Sequence, residues 1–259
     1  MKSYLLILLI SLPMVLSGQN TAVGTSEKLV FTASYSMSGL LTDLAQVEME
    51  TSEVKTSTNT LLRLKCTGRT YRKWDHFFKI NDLYESYVSP SSLKPYLYKK
   101  EINEGAYYKF MQYKYNYKSN SVNSLTTKRR KDGTFWDVKK DLSLGANTND
   151  VVSTIYRIRN LDIHKAAVGS SDTFNVLFDN KVNAVTITLL GKETISTNIG
   201  EKECYKLSIS ISNSDVLKGN NSNLLWLTAD ENKIPVYAKF KVAVGSGELR
   251  IQSASGLKH

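Results

Sequence analysis

Leu29-Val30-Phe31-Thr32-Ala33-Ser34-Tyr35 sets Leu29, Phe31, Ala33 and Tyr35 on one side of an extended chain and Val30, Thr32 and Ser34 on the other. Successive side chains of a strand point to opposite faces, so this period of two marks a half-buried strand. The same alternation appears in Ala45, Val47 and Met49 against Gln46, Glu48 and Glu50. It returns in Tyr205-Leu207-Ile209-Ile211 and in Val236-Ala238-Phe240-Val242-Val244.

Turn residues punctuate these runs at hairpin spacing. Glu104-Gly105 precedes a Tyr-rich run, Asp132-Gly133 divides 121–131 from 134–139, and Asp179-Asn180 divides 174–178 from 182–190. Further breaks fall at Gly200, at Gly219-Asn220-Asn221 and at Asp230-Glu231-Asn232. The pattern predicts a mainly β chain of about a dozen consecutive strands, folded as a strongly curved antiparallel sheet or open half-barrel.

One stretch departs from period two. Between Asn149 and Leu161, Val151, Ile155 and Ile158 recur at helical spacing with Val152 and Tyr156 beside them, and Thr148 or Asn149 can cap the start. An amphipathic helix packed on the concave face of the sheet is expected. Trp74 to Phe78 reads as a second short helix or a loop, and Gly256 to His259 as a frayed end.

Residues 1–18 combine Lys2, an apolar run from Leu5 to Leu16 and a small-residue exit at Ser17-Gly18. That is the layout of a cleaved secretory signal, too short for a comfortable membrane span. No Cys follows it closely, so lipid attachment at a mature N-terminal Cys is not expected. Residues 19–259 carry no linker or repeat and read as one domain, exported to the periplasm or secreted.

The formal net charge of the 259-residue chain is +10, with one dense run at Lys128-Arg129-Arg130-Lys131. A basic balance fits nucleic acid, anionic lipid or polyanionic glycan, and export argues against the first. The run abuts the Asp132-Gly133 turn and reads as a solvated face, with contact to anionic envelope lipid or glycan as the other reading. Cys66 and Cys204 fall on surfaces of different character, which favours two free thiols over a disulfide.

Four segments resemble one family. Trp74 through Val88, continued by Leu93-Lys94-Pro95, is similar to a signature of the domain-of-unknown-function family 3108. Asp150-Val151-Val152-Ser153 with Tyr156 and Arg159 resembles its helix, and Leu225 through Val236 its late hairpin. Glu27-Lys28-Leu29 with Tyr35 is similar to its opening strand, while Thr42-Asp43 stands where members usually carry Ala-Gly. The resemblance implies an exported bacterial β protein without an established activity. Its architecture also resembles the half-barrels of periplasmic lipoprotein carriers, which hold acyl chains; that is a likeness of fold alone.

Catalytic signals are sparse, since histidine is the usual proton carrier near neutral pH. His76, near Asp75, Asp82 and Glu85, is the one candidate base, although Trp74, Phe77 and Phe78 around it favour a buried structural role. His164 and His259 read as solvated. No metal-ligand spacing, nucleophile elbow, phosphate loop or cofactor motif is present. Tyr107, Tyr108, Tyr113, Tyr115 and Tyr117, interleaved with Lys109, Lys114 and Lys118, read as cross-strand packing before ligand contact.

The leading expectation is therefore a non-enzymatic binding protein whose concave apolar face, with Phe77, Phe78, Ile155 and Trp226, accepts an acyl chain or an envelope lipoprotein. Arg159 is expected either to pair with a buried carboxylate such as Asp82 or to hold an anionic head group. An assembly partner acting through its outer faces and edges is the alternative, and a hydrolase using His76 the weaker one.

Overall fold

The computed structural model describes residues 19–37, 40–74, 76–212, 223–241 and 245–259. The leader at 1–18, Asp75, the turn at Gly219-Asn220-Asn221 and the positions of Val242 and Val244 lie outside them.

Fifteen strands form a single sheet. They are β1 (Lys28–Met37), β2 (Leu40–Lys55), β3 (Thr60–Thr70), β4 (Asn81–Val88), β5 (Pro95–Glu104), β6 (Tyr107–Asn116), β7 (Ser121–Arg129) and β8 (Phe135–Ser143) in the first half. After β9 (Thr148–Asn149) comes the helix α1 (Val151–Ile158), then β10 (Ser171–Phe178), β11 (Lys181–Thr197), β12 (Gly200–Ile211), β13 (Leu224–Thr228), β14 (Pro235–Lys241) and β15 (Ser246–Ser255). The spatial order runs from β8 back to β1, then from β15 back to β9. The chain thus starts in the middle of the sheet, meanders out along one wing, crosses, and meanders back along the other. All pairings but the short β9–β10 one are antiparallel.

Paired residues on neighbouring strands share a face, so one row of the ladder reads out the interior. Leu29, Met49, Cys66, Tyr84, Lys100, Met111, Thr126 and Val138 are successive partners from β1 to β8. On the other wing Ala33, Leu249, Ala238, Leu225, Leu207 and Leu189 do the same. Against this inner face lies α1, Val152 and Tyr156 packing with a large cluster that runs from β1 to β7 and takes in Trp226, Val236 and Ile251 of β13–β15, and Ile158 with the β10–β13 cluster. Asp150, rather than Thr148 or Asn149, caps the helix: its carboxylate accepts from the Ser153 amide at 2.8 Å, and the Ser153 hydroxyl closes the capping box.

Only residues 144–147 join β8 to β9, so a link of roughly 3.5 Å per residue brings the two edges of the sheet together at that end. At the opposite end the edges do not pair. The β10–β11 turn, Asp179-Asn180, takes positive φ at both positions as a type I′ hairpin does, and docks on the inner face of the first wing. The Asn180 amide donates to the Tyr113 hydroxyl at 2.9 Å, the Ser124 hydroxyl donates to Asn180 Oδ1 at 2.6 Å, and Lys100 Nζ sits 4.3 Å from the Phe178 ring centroid. The sheet is therefore rolled past itself like a scroll, with β8 overhanging.

The C-terminus is tied down instead of frayed. The His259 amide donates to Asn232 Oδ1 at 3.0 Å, and Asn232 Nδ2 donates back to the His259 carbonyl at 2.7 Å. Cys66 and Cys204 are free thiols.

Candidate functional site

Arg157, Arg159 and Asn160 at the end of α1 show first what the helix does. Arg159 is fully buried, and its guanidinium donates to both oxygens of Glu27, at 2.6 and 2.7 Å, and to the carbonyls of Ala22 and Asn232. A planar fork meeting a carboxylate edge-on is the geometry Arg is suited for. The expected ion pair exists, but its partner is Glu27. Asp82 instead accepts from the Asn103 amide at 2.9 Å.

Structure separates the remaining expected residues. Phe77 and Phe78 are 83% and 52% exposed, on the loop after a 3-10 turn at Arg72–Trp74, and do not join the concave face. That loop precedes β4 and has no strand periodicity to turn its aromatics inward. His76 is exposed, not buried as expected. Glu85, on β4, is engaged by Arg63. Trp226 is 5% exposed and belongs to the same core cluster as Val152, Tyr156 and Leu29, on the strand face opposite Leu225 and Leu227. There its ring lies tilted against Tyr237, 4.8 Å between centroids, and its indole N–H donates to Glu193 at 2.6 Å. Ile155 is half-buried between α1 and the first cluster. Ile155 on α1 and Trp226 on β13 thus belong to one core cluster, Arg159 caps the end of α1, and Phe77 and Phe78 lie elsewhere. His164 is not simply solvated: its Nδ1 lies 2.6 Å from the Tyr205 hydroxyl.

The centre of the inner face is filled. Leu29, Leu64, Tyr113 and Tyr156 are 0% exposed beneath or beside α1. Within this packing Asp150 receives the Ser86 hydroxyl at 2.6 Å, and burial pushes its carboxyl up to about 6. The hydroxyls of Tyr98, Tyr115 and Tyr156 are buried there without a partner among the described residues.

Beyond the reach of α1, the inner face stays open. A groove of about 360 Å³ runs between β6–β8 and the Asp179-Asn180 turn, with Lys109, Thr126, Lys128, Val138 and Lys140 along its walls. Asp179 closes one side by accepting from Lys100 at 3.1 Å and Lys109 at 3.0 Å. Burial opposes its ionisation, yet the two ammoniums more than offset that and hold the Asp179 carboxyl below its ordinary value. Burial likewise lowers Lys100, against the pull of Asp179. Lys128 packs 5.6 Å from the Trp136 ring centroid. Thr126 is 5% exposed, and its hydroxyl has no partner.

The sequence signal for this groove was the parity of Lys100 with Tyr98 and Ile102, and of Lys109 with Met111 and Tyr113. Cations at inward positions mark a place where the sheet is not sealed by apolar packing. That the turn at Asp179 would meet them follows from the rolling of the sheet, which no local pattern encodes.

Residues 30–252 match the model of a family described as protein of unknown function, DUF3108. The chain belongs to that family. In solved structures the DUF3108 fold has a counterpart in a β-barrel-like protein of domain of unknown function DUF1849 from Brucella abortus. The two are 7% identical and superpose with a TM-score of 0.53, covering 90% of this chain and 98% of that one. A Bacteroides fragilis protein with a YmcC-like fold aligns over 92% of this chain and 99% of its own, at 8% identity and a TM-score of 0.37. No curated protein matches the sequence. Among the described residues of this DUF3108 chain, no helix is long and apolar enough to cross a membrane.

Proposed function

We propose that this DUF3108 protein is an exported, periplasmic, non-enzymatic binding protein that engages a component of the cell envelope through the overhanging β6–β8 wing. The observation that carries this reading is the contrast along one inner face: sealed at 0% exposure around Tyr156 and Tyr113, open as a groove of about 360 Å³ where Lys128 and Lys140 stand. Export rests on the leader pattern at 1–18. A hydrolase centred on His76 lacks support, because the loop holding His76 is exposed and Asp82 and Glu85 are committed to Asn103 and Arg63. An acyl chain under α1 would have to displace Val152, Tyr156 and Ile158, which are at most 3% exposed. Envelope lipoproteins and other envelope proteins remain partners suited to the wing.

Two measurements test the reading. Organic extraction of the purified protein is expected to release no stoichiometric lipid, and a bound acyl lipid would refute the filled core. A photocrosslinking residue in place of Trp136 is expected to give a discrete adduct in cells, while one in place of the exposed Thr173 on β10 gives none. Equal labelling at both positions, or none at Trp136, would sink the assignment of the wing.

A further inference from the structure

The geometry points to a phosphate-class oxyanion site in the groove of the β6–β8 wing, with Thr126 as hydrogen-bond donor and Lys109, Lys128 and Lys140 as its charges. This rests on the wing being the binding surface. Among the described residues, Lys109, Lys128 and Lys140 line the groove with Asp179 as its one carboxylate, and Lys100 reaches Asp179 from beside it. Asp179 is spent on Lys100 and Lys109. Lys128 and Lys140 are left with no carboxylate partner among the described residues, and Lys128 keeps only its ring contact with Trp136.

A surplus of charge alone would describe a solvated face. The Thr126 hydroxyl is what distinguishes a site. It is 95% buried, by its 5% exposure, and lines the groove with its hydrogen-bonding capacity unused. A buried polar group left unpaired is costly, and in folded proteins such groups find a partner in the protein, in water or in a ligand. Register puts the donors at the right places. Lys109 pairs with Lys128 across β6 and β7, and Thr126 stands two residues from Lys128 on the same face of β7. Lys140 reaches in from β8 opposite Ser124.

Ligand chemistry follows from the donor set. Among the described residues the groove holds lysines and no arginine. Arginine's planar fork matches a carboxylate, whereas lysines act as point charges that can surround a tetrahedral, multiply charged anion from several sides. Val138 and Met111 give the groove an apolar flank suited to the carbon next to a phosphate ester. The phosphate can belong to a lipid head group or to a free phosphate ester, and the basic run Lys128-Arg129-Arg130-Lys131 at the neighbouring turn raises the local anion concentration in either case.

The test uses the mature chain at fixed ionic strength. Calorimetric titration with inorganic phosphate and with glycerol 3-phosphate is expected to show saturable one-to-one binding. Lys128→Gln/Lys140→Gln should weaken it at least tenfold, and Thr126→Val, which keeps the side-chain shape, by about tenfold with the thermal midpoint unchanged. Arg130→Gln/Lys131→Gln should change it less than twofold. Cosedimentation with phosphatidylglycerol–phosphatidylcholine vesicles separates the sources. Vesicle binding that free phosphate reverses identifies a head group, and phosphate binding without vesicle binding identifies a soluble ester. No saturable phosphate binding, an unaffected Thr126→Val, or equal losses in the groove and turn variants would overturn the site. A Trp136 adduct with no phosphate binding would leave the wing as the binding surface and remove the oxyanion; absence of both would remove the two together.

Discussion

Replacing Arg159 with Met asks whether this side chain holds the fold or a ligand. Arg159 and Glu27 are each 0% exposed, and the guanidinium makes two bonds to the carboxylate and further bonds to the carbonyls of Ala22 and Asn232. These contacts fasten three pieces: the segment before β1, the end of α1 and the turn between β13 and β14. Met fills a similar volume but leaves Glu27 as a buried charge without its counterion, a loss worth about 3–5 kcal/mol in comparable pairs. The expected cost in urea unfolding is therefore about 4 kcal/mol, a large share of a typical domain's stability. Glu27→Leu should cost a similar amount. The double variant Arg159→Met/Glu27→Leu should cost less than the sum of the two by about 2 kcal/mol or more, since neither charge is then stranded. If Arg159→Met costs under about 1 kcal/mol, or the two losses simply add, the buried pair is not what joins these segments.

Asp150 gives a pH signature. Its folded carboxyl lies at about 6 because of burial, against an ordinary value of roughly 3.9 in the unfolded chain. A raised acid stabilises the fold below its unfolded pKa and loses that contribution as pH climbs through its folded one. From this group alone the protein should be about 1.4 kcal/mol more stable at pH 5 than at pH 8. Asp150→Asn, still a competent cap, should shrink the difference by that amount, and an unchanged pH dependence in denaturant melts would contradict the assignment. The thiols give a simpler check: burial pushes Cys66 up to about 12 and Cys204 up to about 11, so both are protonated at pH 8. Alkylation by iodoacetamide should be slow in the native protein and fast in denaturant, and fast native labelling of either would show the interior to be more open than described.

Much of the architecture could be read from short-range pattern. The strand from Leu29 to Tyr35, the Asp132-Gly133 and Asp179-Asn180 turns and the helix α1 fall where expected, because each depends on neighbours within a few residues, although the buried face of α1 centres on Val152 and Tyr156 rather than on Val151 and Ile155. Fifteen strands were present where about a dozen were expected. The site was less legible. Trp226 does join the buried cluster around Tyr156, from the strand face opposite Leu225 and Leu227. Phe77 and Phe78 stay exposed because the loop that holds them has no strand period to turn aromatic side chains inward. The partner of Arg159 lies 132 positions away, and nothing local distinguishes Glu27 from Asp82 as its acceptor. The Lys100–Asp179 contact likewise spans 79 positions and arises only once the sheet has rolled over.

The overhang itself has a physical cause. A curved sheet becomes a closed barrel when its last strands pair, which removes both exposed edges. Here β9 offers two residues to β10, and the link at 144–147 pins it beside the end of β8. Along the rest of β8, the position a closing strand would occupy is displaced inward. The Asp179-Asn180 turn has slipped past the edge and bonded to Tyr113 and Ser124, two strands and one strand in from β8. Lys100 and Lys109 hold it there by pairing with Asp179. The ion pairs that keep the turn inside are thus the same ones that keep β8 outside, with its inner face uncovered. Charged side chains on β8 such as Lys139, Lys140 and Asp141 guard the free edge against pairing with another chain. Lys140 alternates with Lys139 and so faces the groove. A mechanism that merely protected an edge would be served by outward charges; the inward placement of Lys128 and Lys140 beside the unpartnered Thr126 hydroxyl is what edge protection leaves unexplained and anion binding accounts for.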